Sequence, residues 1–93
     1  ENVYPAEVEN TLFALGGVAD GAIVGVPDEK WGEVGGAFVV RAEGAALTED
    51  DVLGWFHGRV ARFKAPARAV FIDGLPRNAT GKVLKRVLRE QAG

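Results

Sequence analysis

The amino-acid sequence predicts one small domain of the α+β class, in which a three-stranded sheet packs against three helices. Three segments have apolar residues at helical spacing, and three others are short runs of β-branched or aromatic residues. These segments follow one another in the order αββαβα, without an internal repeat or a low-complexity linker. A length of 93 residues leaves room for one compact core, so a second domain in this chain is excluded.

The first half of the chain predicts a helix and then two neighbouring strands. Pro5 suits the first position of a helix, acidic residues follow it, and two glycines at 16–17 end the apolar periodicity. Residues 21–26 and 36–42 are β-branched or aromatic runs of strand length. The segment between them contains Pro, Asp and Gly, and it therefore predicts a loop over residues 27–32.

The second half predicts a helix, a strand and a last helix. Thr48 precedes three acidic residues, which is typical of a helix start, and Pro66 closes the segment. Residues 67–73 predict the third strand. The apolar positions at helical spacing are Val52, Phe56 and Val60 in the second helix, and Val83, Leu84, Val87 and Leu88 in the last.

Composition argues against several classes of function. The net charge is -2 and the pI about 5.3, so no global positive field attracts nucleic acid. No apolar run approaches the ~18 residues that would span a bilayer. The chain has no cysteine and one histidine, His57, so disulfides are excluded and a protein-built zinc site is not expected. A reducing cytoplasm fits this composition, and the start at Glu1, without Met or a signal peptide, suggests a piece of a longer protein.

A polar loop over residues 75–82 ends in Lys82, just before the predicted last helix. It resembles a phosphate cradle, but it is not a P-loop, because six residues separate Gly74 from Gly81 and Val83 stands where a hydroxyl residue would bind magnesium. Lys82 would also lie in the first turn of the helix, where a cation opposes the helix dipole by ~0.3 to 1 kcal/mol. Such a misfit is a weak indication of function.

Spacing alone favours a purely structural interpretation of the same loop. Thr80 would cap the helix, Gly81 would make the turn, and Lys82 would be one solvated lysine among several. Other basic residues follow the second helix and the last helix, and such runs are usually solvated faces. These residues are Arg59, Arg62, Lys64, Lys85, Arg86 and Arg89.

Four segments together resemble the C-terminal domain of the adenylate-forming superfamily, which includes acyl-CoA synthetases, firefly-type luciferases and peptide-synthetase adenylation domains. They read Asn-Val-Tyr-Pro-Ala-Glu-Val-Glu at 2–9, Val-Gly-Val-Pro-Asp-Glu-Lys-Trp-Gly-Glu at 24–33, Phe-Lys-Ala-Pro at 63–66 and Leu-Pro-Arg-Asn-Ala-Thr-Gly-Lys at 75–82. Their order and spacing match, and the resemblance covers nearly all of the chain. The first two segments are more similar to fatty-acyl or aryl-CoA synthetases than to peptide-synthetase domains.

The resemblance implies that residues 1–93 are the C-terminal, lid-like domain of an ATP-dependent acid-CoA ligase whose N-terminal domain lies outside this sequence. Lys82 would be the catalytic lysine, placed between the substrate carboxylate and the α-phosphate of ATP during acyl-AMP formation. Asn78, Thr80 and Gly81 would support its loop, and Asn2 would join Lys82 in binding ATP. The domain would then rotate and present another face for thioester formation with CoA.

The resemblance also implies partners and further binding residues. ATP, CoA and a carboxylic acid would be substrates, and the missing N-terminal domain would hold magnesium and the acyl group, so this chain alone would be inactive. Glu1, Trp31 and His57 would contact CoA. Some relatives place a basic residue at the positions of Trp31 and His57 and this sequence departs from them at both, so Trp31 could simply pack beside Pro27 and His57 could be a solvated residue. The surroundings of Lys82 resemble sites modified by a lysine acetyltransferase.

Two other functions stay open from the sequence. The chain could belong to an adenylation enzyme that loads a carrier protein instead of CoA. It could also be a non-catalytic ligand-binding or interaction module, because small α+β domains often serve that purpose. Such a module would not need Lys82.

Overall fold

The three predicted strands form one mixed sheet in the computed structural model of the protein, which describes residues 4–92. Strands β1 and β2 pair antiparallel, β3 lies parallel to β2, and the strand order is β1-β2-β3. The elements are α1 (Ala6–Phe13), β1 (Val18–Asp28), β2 (Gly32–Arg41), α2 (Glu49–Phe56), β3 (Arg68–Phe71) and α3 (Lys85–Ala92). The predicted α+β class and the order αββαβα are therefore confirmed.

Strands β1 and β2 form a longer hairpin than the sequence predicted. Their pairing continues to Asp28 and Gly32, so the predicted loop at 27–32 shrinks to a turn over residues 29–31. The carboxylate of Asp28 closes this turn, because its Oδ2 accepts hydrogen bonds from the main-chain N–H groups of Lys30 at 3.0 Å and Trp31 at 2.8 Å. A side chain that bonds the following backbone in this way is typical of Asp in turns.

Helices cover both faces of the sheet, so the molecule has two small apolar cores. Helices α1 and α2 pack on one face and α3 packs on the other. Successive residues of a strand point to opposite faces, and the long buried runs of β1 and β2 follow from burial on both sides. One core contains Val8, Leu12, Ile23, Ala37, Val39, Val52, Phe56 and Ala69, and the other contains Ala22, Val24, Val26, Phe38 and Leu88.

Helix α2 starts where the sequence predicted and ends earlier. Thr48 and Asp51 form a reciprocal capping box, with the Thr48 hydroxyl 3.1 Å from the Asp51 N and the Asp51 carboxylate 2.9 Å from the Thr48 N. The prediction that this helix continues through Val60 to Pro66 is wrong. Gly58 has a φ of 80°, a left-handed conformation that ends helices, and only a short 3₁₀ turn at Arg62–Lys64 follows.

Helix α3 begins at Lys85, later than the sequence predicted, so Lys82 to Leu84 belong to the preceding loop. Leu88 anchors α3, because its side chain is fully buried against the sheet. Within residues 4–92, no helix has the length and apolar character needed to cross a membrane. No group of three or more His, Asp or Glu side chains in that range is placed to hold a metal ion.

Candidate functional site

The segment between β3 and α3 folds back on itself as a small irregular hairpin, which we call the lysine loop (residues 75–84). Arg77 and Val83 form an isolated antiparallel bridge, and the Leu84 N–H donates to the Pro76 carbonyl at 2.8 Å. The tip is a turn in which Gly81 has a φ of 88°, a conformation that favours glycine. The loop backbone is therefore fixed by its own hydrogen bonds, although most of its side chains are exposed.

Asn78 is the centre of this loop. Its side-chain Oδ1 accepts hydrogen bonds from the Thr80 N at 3.0 Å, the Thr80 hydroxyl at 2.7 Å and the Lys82 N at 3.0 Å. Its main-chain N–H donates to the Lys82 carbonyl at 3.0 Å, and its own carbonyl accepts from the Gly81 N at 3.0 Å. The three residues predicted to support the loop, Asn78, Thr80 and Gly81, thus contact one another around Lys82.

Lys82 combines a fixed backbone with an exposed side chain. Its main-chain N–H and carbonyl are both bonded to Asn78, while its ammonium makes no hydrogen bond or ion pair with residues 4–92. The predicted conflict with the helix dipole is wrong, because α3 starts three residues after Lys82. The interpretation of Thr80 as a helix cap is also wrong, because its hydroxyl donates to Asn78.

The lysine loop borders an open groove of about 810 Å³ between α1, β1 and the start of α3. The groove carries charges of both signs. Its charged lining residues are Glu9, Asp20, Arg77, Lys82, Lys85 and Arg86. Lys82 on this loop therefore borders an open groove that carries both acidic and basic side chains.

Two residues that tie the loop to the sheet were missed in the sequence. The Arg77 guanidinium donates through Nη1 to the Gly81 carbonyl at 2.8 Å, and through Nη2 to the Asp20 carboxylate at 2.6 Å. Asp20 lies in β1, and its other oxygen accepts from the Gly21 N at 2.9 Å. No local pattern connects Asp20 with Arg77, because 57 positions separate them.

Ion pairs neutralise some of the basic residues that the sequence places along the last helix and after the second helix. The Lys85 ammonium lies 3.0 Å from the Glu9 carboxylate, and Arg89 lies 2.8 Å from Glu33. Lys64, to which the sequence assigned no chemical role, pairs with Glu7 at 2.7 Å. These contacts join α3 and the 3₁₀ turn to the rest of the domain, so most of the cations on these segments have structural partners.

Two of the residues expected to contact CoA, Trp31 and His57, do not line the groove beside the lysine loop. Trp31 is 70% exposed in the turn after β1, with the Lys30 ammonium 5.0 Å from its ring centroid, so it is not a core residue. The hydrogen bond from the Trp31 main-chain N–H to Asp28 is the main reason why the pKa of the Asp28 carboxyl is lowered. His57 is exposed at the end of α2 and does not contact Trp31 through any hydrogen bond. Asn2 and Glu1 lie outside the described residues.

A second exposed aromatic side chain was also missed in the sequence. Phe63 lies in the 3₁₀ turn and is 85% exposed, with the Lys64 ammonium 5.8 Å from its ring centroid. The sequence offered one signal, because Phe63 opens the Phe-Lys-Ala-Pro segment of the resemblance. Singly exposed hydrophobic residues are normal on a domain surface, so Phe63 alone does not define a binding site.

Fold and site together define a small α+β domain that presents a lysine on a rigid loop beside a charged groove. The chain belongs to the family described as the AMP-binding enzyme C-terminal domain, whose model matches residues 7–82. The resemblance inferred from the four sequence segments is thus confirmed.

Relatives of known function and known structure agree with this assignment. The 3-[(3aS,4S,7aS)-7a-methyl-1,5-dioxo-octahydro-1H-inden-4-yl]propanoyl:CoA ligase of Rhodococcus jostii is 58% identical over 90 residues, covering 97% of this chain and 18% of that protein. The fatty acid-[acyl-carrier-protein] ligase ScoC of Streptomyces coeruleorubidus is 50% identical over 91 residues, covering 98% of this chain and 18% of that protein. ATP-bound MatB from Rhodopseudomonas palustris superimposes with a TM-score of 0.88 at 46% identity, and the match covers 98% of this chain and 18% of MatB. The chain therefore spans less than a fifth of these relatives.

Proposed function

We propose that this chain is the C-terminal domain of an ATP-dependent acid-CoA ligase, here called the parent enzyme, and that Lys82 acts in its adenylation step. One observation carries the role of Lys82. Its backbone is held by Asn78 on both sides, whereas its ammonium has no partner within residues 4–92 and borders the groove. A fixed backbone and a cationic end unpaired within those residues leave Lys82 available to a negative charge that develops in the groove.

The chemistry follows from where charge develops. A carboxylate oxygen of the acid attacks the α-phosphorus of ATP, and the bond from this phosphorus to the pyrophosphate oxygen breaks. The products are acyl-AMP and pyrophosphate. Negative charge grows on the α-phosphoryl oxygens in the transition state, and the Lys82 ammonium stabilises it without waiting for solvent to reorganise. Arginine is a poor substitute, because its planar fork occupies different space.

The remaining contacts belong to the proposed N-terminal domain. That domain would hold the purine, most of the phosphates, the magnesium ion and the acyl group. Asn2 keeps its proposed role beside ATP, and Glu1 and His57 keep theirs beside CoA. Under this division, the 93-residue chain alone catalyses nothing.

Distance along the sheet supports a separate face for the thioester step. Asp20 contacts the lysine loop, and Asp28 closes the turn that carries Trp31. These two residues stand near opposite ends of β1, which at ~3.3 Å per residue places them about 26 Å apart. Under the proposed function, the domain would rotate between the half-reactions and present the two ends of β1 in turn. Trp31 would then stack on the adenine of CoA.

A carrier-protein acceptor is the second candidate, and one comparison favours it. ScoC, at 50% identity, is named as a ligase that acts on an acyl-carrier protein. Adenylation by Lys82 would be the same in both cases, and only the acceptor of the acyl group would differ. Supplying the parent enzyme with acyl-AMP and either CoA or a phosphopantetheinyl carrier protein separates the two functions by product mass.

The test of the proposed function is Lys82→Ala in the parent enzyme, with each half-reaction measured separately. Pyrophosphate release should slow by ~10²-fold or more, the scale of losing one preorganised donor. Thioester formation from supplied acyl-AMP should continue at close to the normal rate. An equal loss in both steps would mean that Lys82 maintains the architecture or binds the acceptor, and the role proposed here would be wrong.

A lysine acetyltransferase is a proposed regulatory partner of the same residue. Acetylation would remove the charge of Lys82 while leaving its side chain in place, and adenylation would stop. Lys64 and Lys85 are engaged with Glu7 and Glu9, whereas Lys82 has no such partner among residues 4–92. Peptide mass mapping after acetylation should therefore find Lys82 modified before Lys64 and Lys85. Equal modification of these three lysines would argue against a specific site.

A further inference from the structure

We propose that Arg77 and Asp20 form a positioning pair that orients Lys82 for adenylation. This inference rests on the function proposed above, because it assigns to the pair no chemistry of its own. Neither residue is expected to touch a substrate. Their effect would pass through the peptide bond that joins Gly81 to Lys82.

That peptide bond is held at both of its polar groups. The Gly81 carbonyl accepts from Arg77 at 2.8 Å, and the Lys82 N–H donates to Asn78 at 3.0 Å. A peptide unit is planar, so fixing both groups orients the plane and, with it, the start of the Lys82 side chain. Glycine has the freest backbone of all residues, so Gly81 cannot supply this restraint itself.

Asp20 connects the restraint to the sheet. Leu75 and Val83 pack the two arms of the loop against the core. Without Asp20, the Arg77 guanidinium near the tip would bond only to its own loop. The Asp20 carboxylate binds the Arg77 guanidinium through one oxygen and the Gly21 N–H through the other. Gly21 is buried in β1, directly after an irregularity in register between Val18 and Asp20. The irregularity re-aims side chains at this point of the strand.

The pair is too exposed to be explained as a stabiliser of the fold. The Arg77 and Asp20 side chains keep 41% and 32% of their accessible surface, and exposed ion pairs contribute little to folding. Catalysis is more sensitive, since a misplacement of ~1 Å can slow a reaction by ~10²-fold. We therefore expect loss of the pair to reduce the turnover number for adenylation by about 5- to 30-fold, with the KM for ATP changed less than ~2-fold.

The experiment uses the parent enzyme and measures pyrophosphate release at saturating ATP. Arg77→Gln replaces the charged, forked guanidinium by a shorter amide that cannot bridge Gly81 and Asp20, and Asp20→Asn keeps an acceptor for the Gly21 N–H while removing the charge that binds Arg77. Lys64→Gln is the matched control, because it breaks an ion pair of 2.7 Å and comparable exposure away from the loop. The first two variants should be slow in adenylation and normal in thioester formation from supplied acyl-AMP, and the control should resemble the parent.

The decisive variant combines Arg77→Gln with Lys82→Ala. If Arg77 acts only by placing the ammonium, the combined variant should be no slower than Lys82→Ala alone. A further loss would show that Arg77 acts on the substrates directly, and normal rates in Arg77→Gln and Asp20→Asn would also overturn the positioning role while leaving the role of Lys82 intact. Full activity of Lys82→Ala itself would instead refute the proposed function, and the positioning pair with it.

Discussion

Replacing Asn78 by alanine tests whether one exposed amide holds the lysine loop together. The change removes the acceptor for three hydrogen bonds, from the Thr80 N, the Thr80 hydroxyl and the Lys82 N. It leaves the main-chain bonds of Asn78 in place. Asn78→Asp is the matched control, because a carboxylate can accept the same three bonds and differs from the amide mainly in charge.

The expected cost follows from the exposure of these groups. A hydrogen bond within a protein contributes about 0.5 to 1.5 kcal/mol net, and water can replace a partner at the surface. Three bonds in an exposed loop should therefore contribute about 1 to 2 kcal/mol together, less than their simple sum. For a domain of about this size, 1 kcal/mol lowers the melting temperature by ~4 to 8 °C. Asn78→Ala should melt roughly 4 to 16 °C below the parent chain.

Two measurements on the 93-residue chain decide the matter. Thermal unfolding followed by circular dichroism gives the global effect, and amide hydrogen exchange reports the loop directly. The Lys82 amide should lose its protection in Asn78→Ala and retain it in Asn78→Asp. Unchanged melting together with unchanged exchange at Lys82 would show that the main-chain bonds suffice, and that Asn78 does not support the loop.

Three further predictions concern the 93-residue chain. Gly21→Ala should destabilise it by about 1 to 3 kcal/mol in urea unfolding, because the added Cβ would lie 2.6 Å from Leu12 Cδ2 in a packed core. Gly16→Ala is the control and should be nearly neutral, because nothing beyond its chain neighbours would lie within 4 Å of the added Cβ. Hydrogen bonds from the Trp31 and Lys30 N–H groups lower the pKa of Asp28, so its stabilising effect should be present above the ordinary value of 3.8 and be lost as pH falls through the lower folded-state pKa. The stability difference between the parent and Asp28→Asn should shrink correspondingly between pH 5 and strong acid, and a constant difference would contradict the assignment. ATP should bind the chain with a Kd weaker than ~1 μM in titration calorimetry, since most contacts would come from the N-terminal domain.

The sequence predicted the elements well and their ends poorly. Local signals were sufficient where the backbone depends on neighbours in the chain, as at the capping box that starts α2 at Thr48. They failed where apolar spacing continues beyond the element. Val60 and Val83 keep the helical period, yet Gly58 ends α2 by its left-handed conformation and Val83 pairs with Arg77 across the loop. The choice between helix and hairpin at Val83 depends on contacts that spacing does not encode.

The candidate site was predictable where a motif carries it and unpredictable where tertiary contacts build it. The segment ending in Lys82 predicted that Asn78 and Thr80 shape the loop, and both are hydrogen-bonded there, whereas the role of Lys82 stays a prediction. The ion pair between Arg77 and Asp20 could not be predicted, because it joins the lysine loop to β1 and depends on how the chain folds. The same holds for the ion pairs that engage Lys64 and Lys85, because each joins residues that are distant in the sequence.

An exposed loop can carry a strong electrostatic catalyst only if water is removed later. Two unit charges 4 Å apart interact by about 1 kcal/mol in bulk water and by about 4 kcal/mol at the effective dielectric constant of a protein surface region. In this chain the Lys82 ammonium is open to solvent, so its attraction for a phosphate has the small magnitude found in bulk water. Under the proposed function, closure of the groove against the N-terminal domain would move the same charge into an environment of lower dielectric constant, where the attraction is stronger. The domain would then contribute little to ATP affinity by itself and much to the transition state, because its loop fixes the Lys82 backbone before the water leaves.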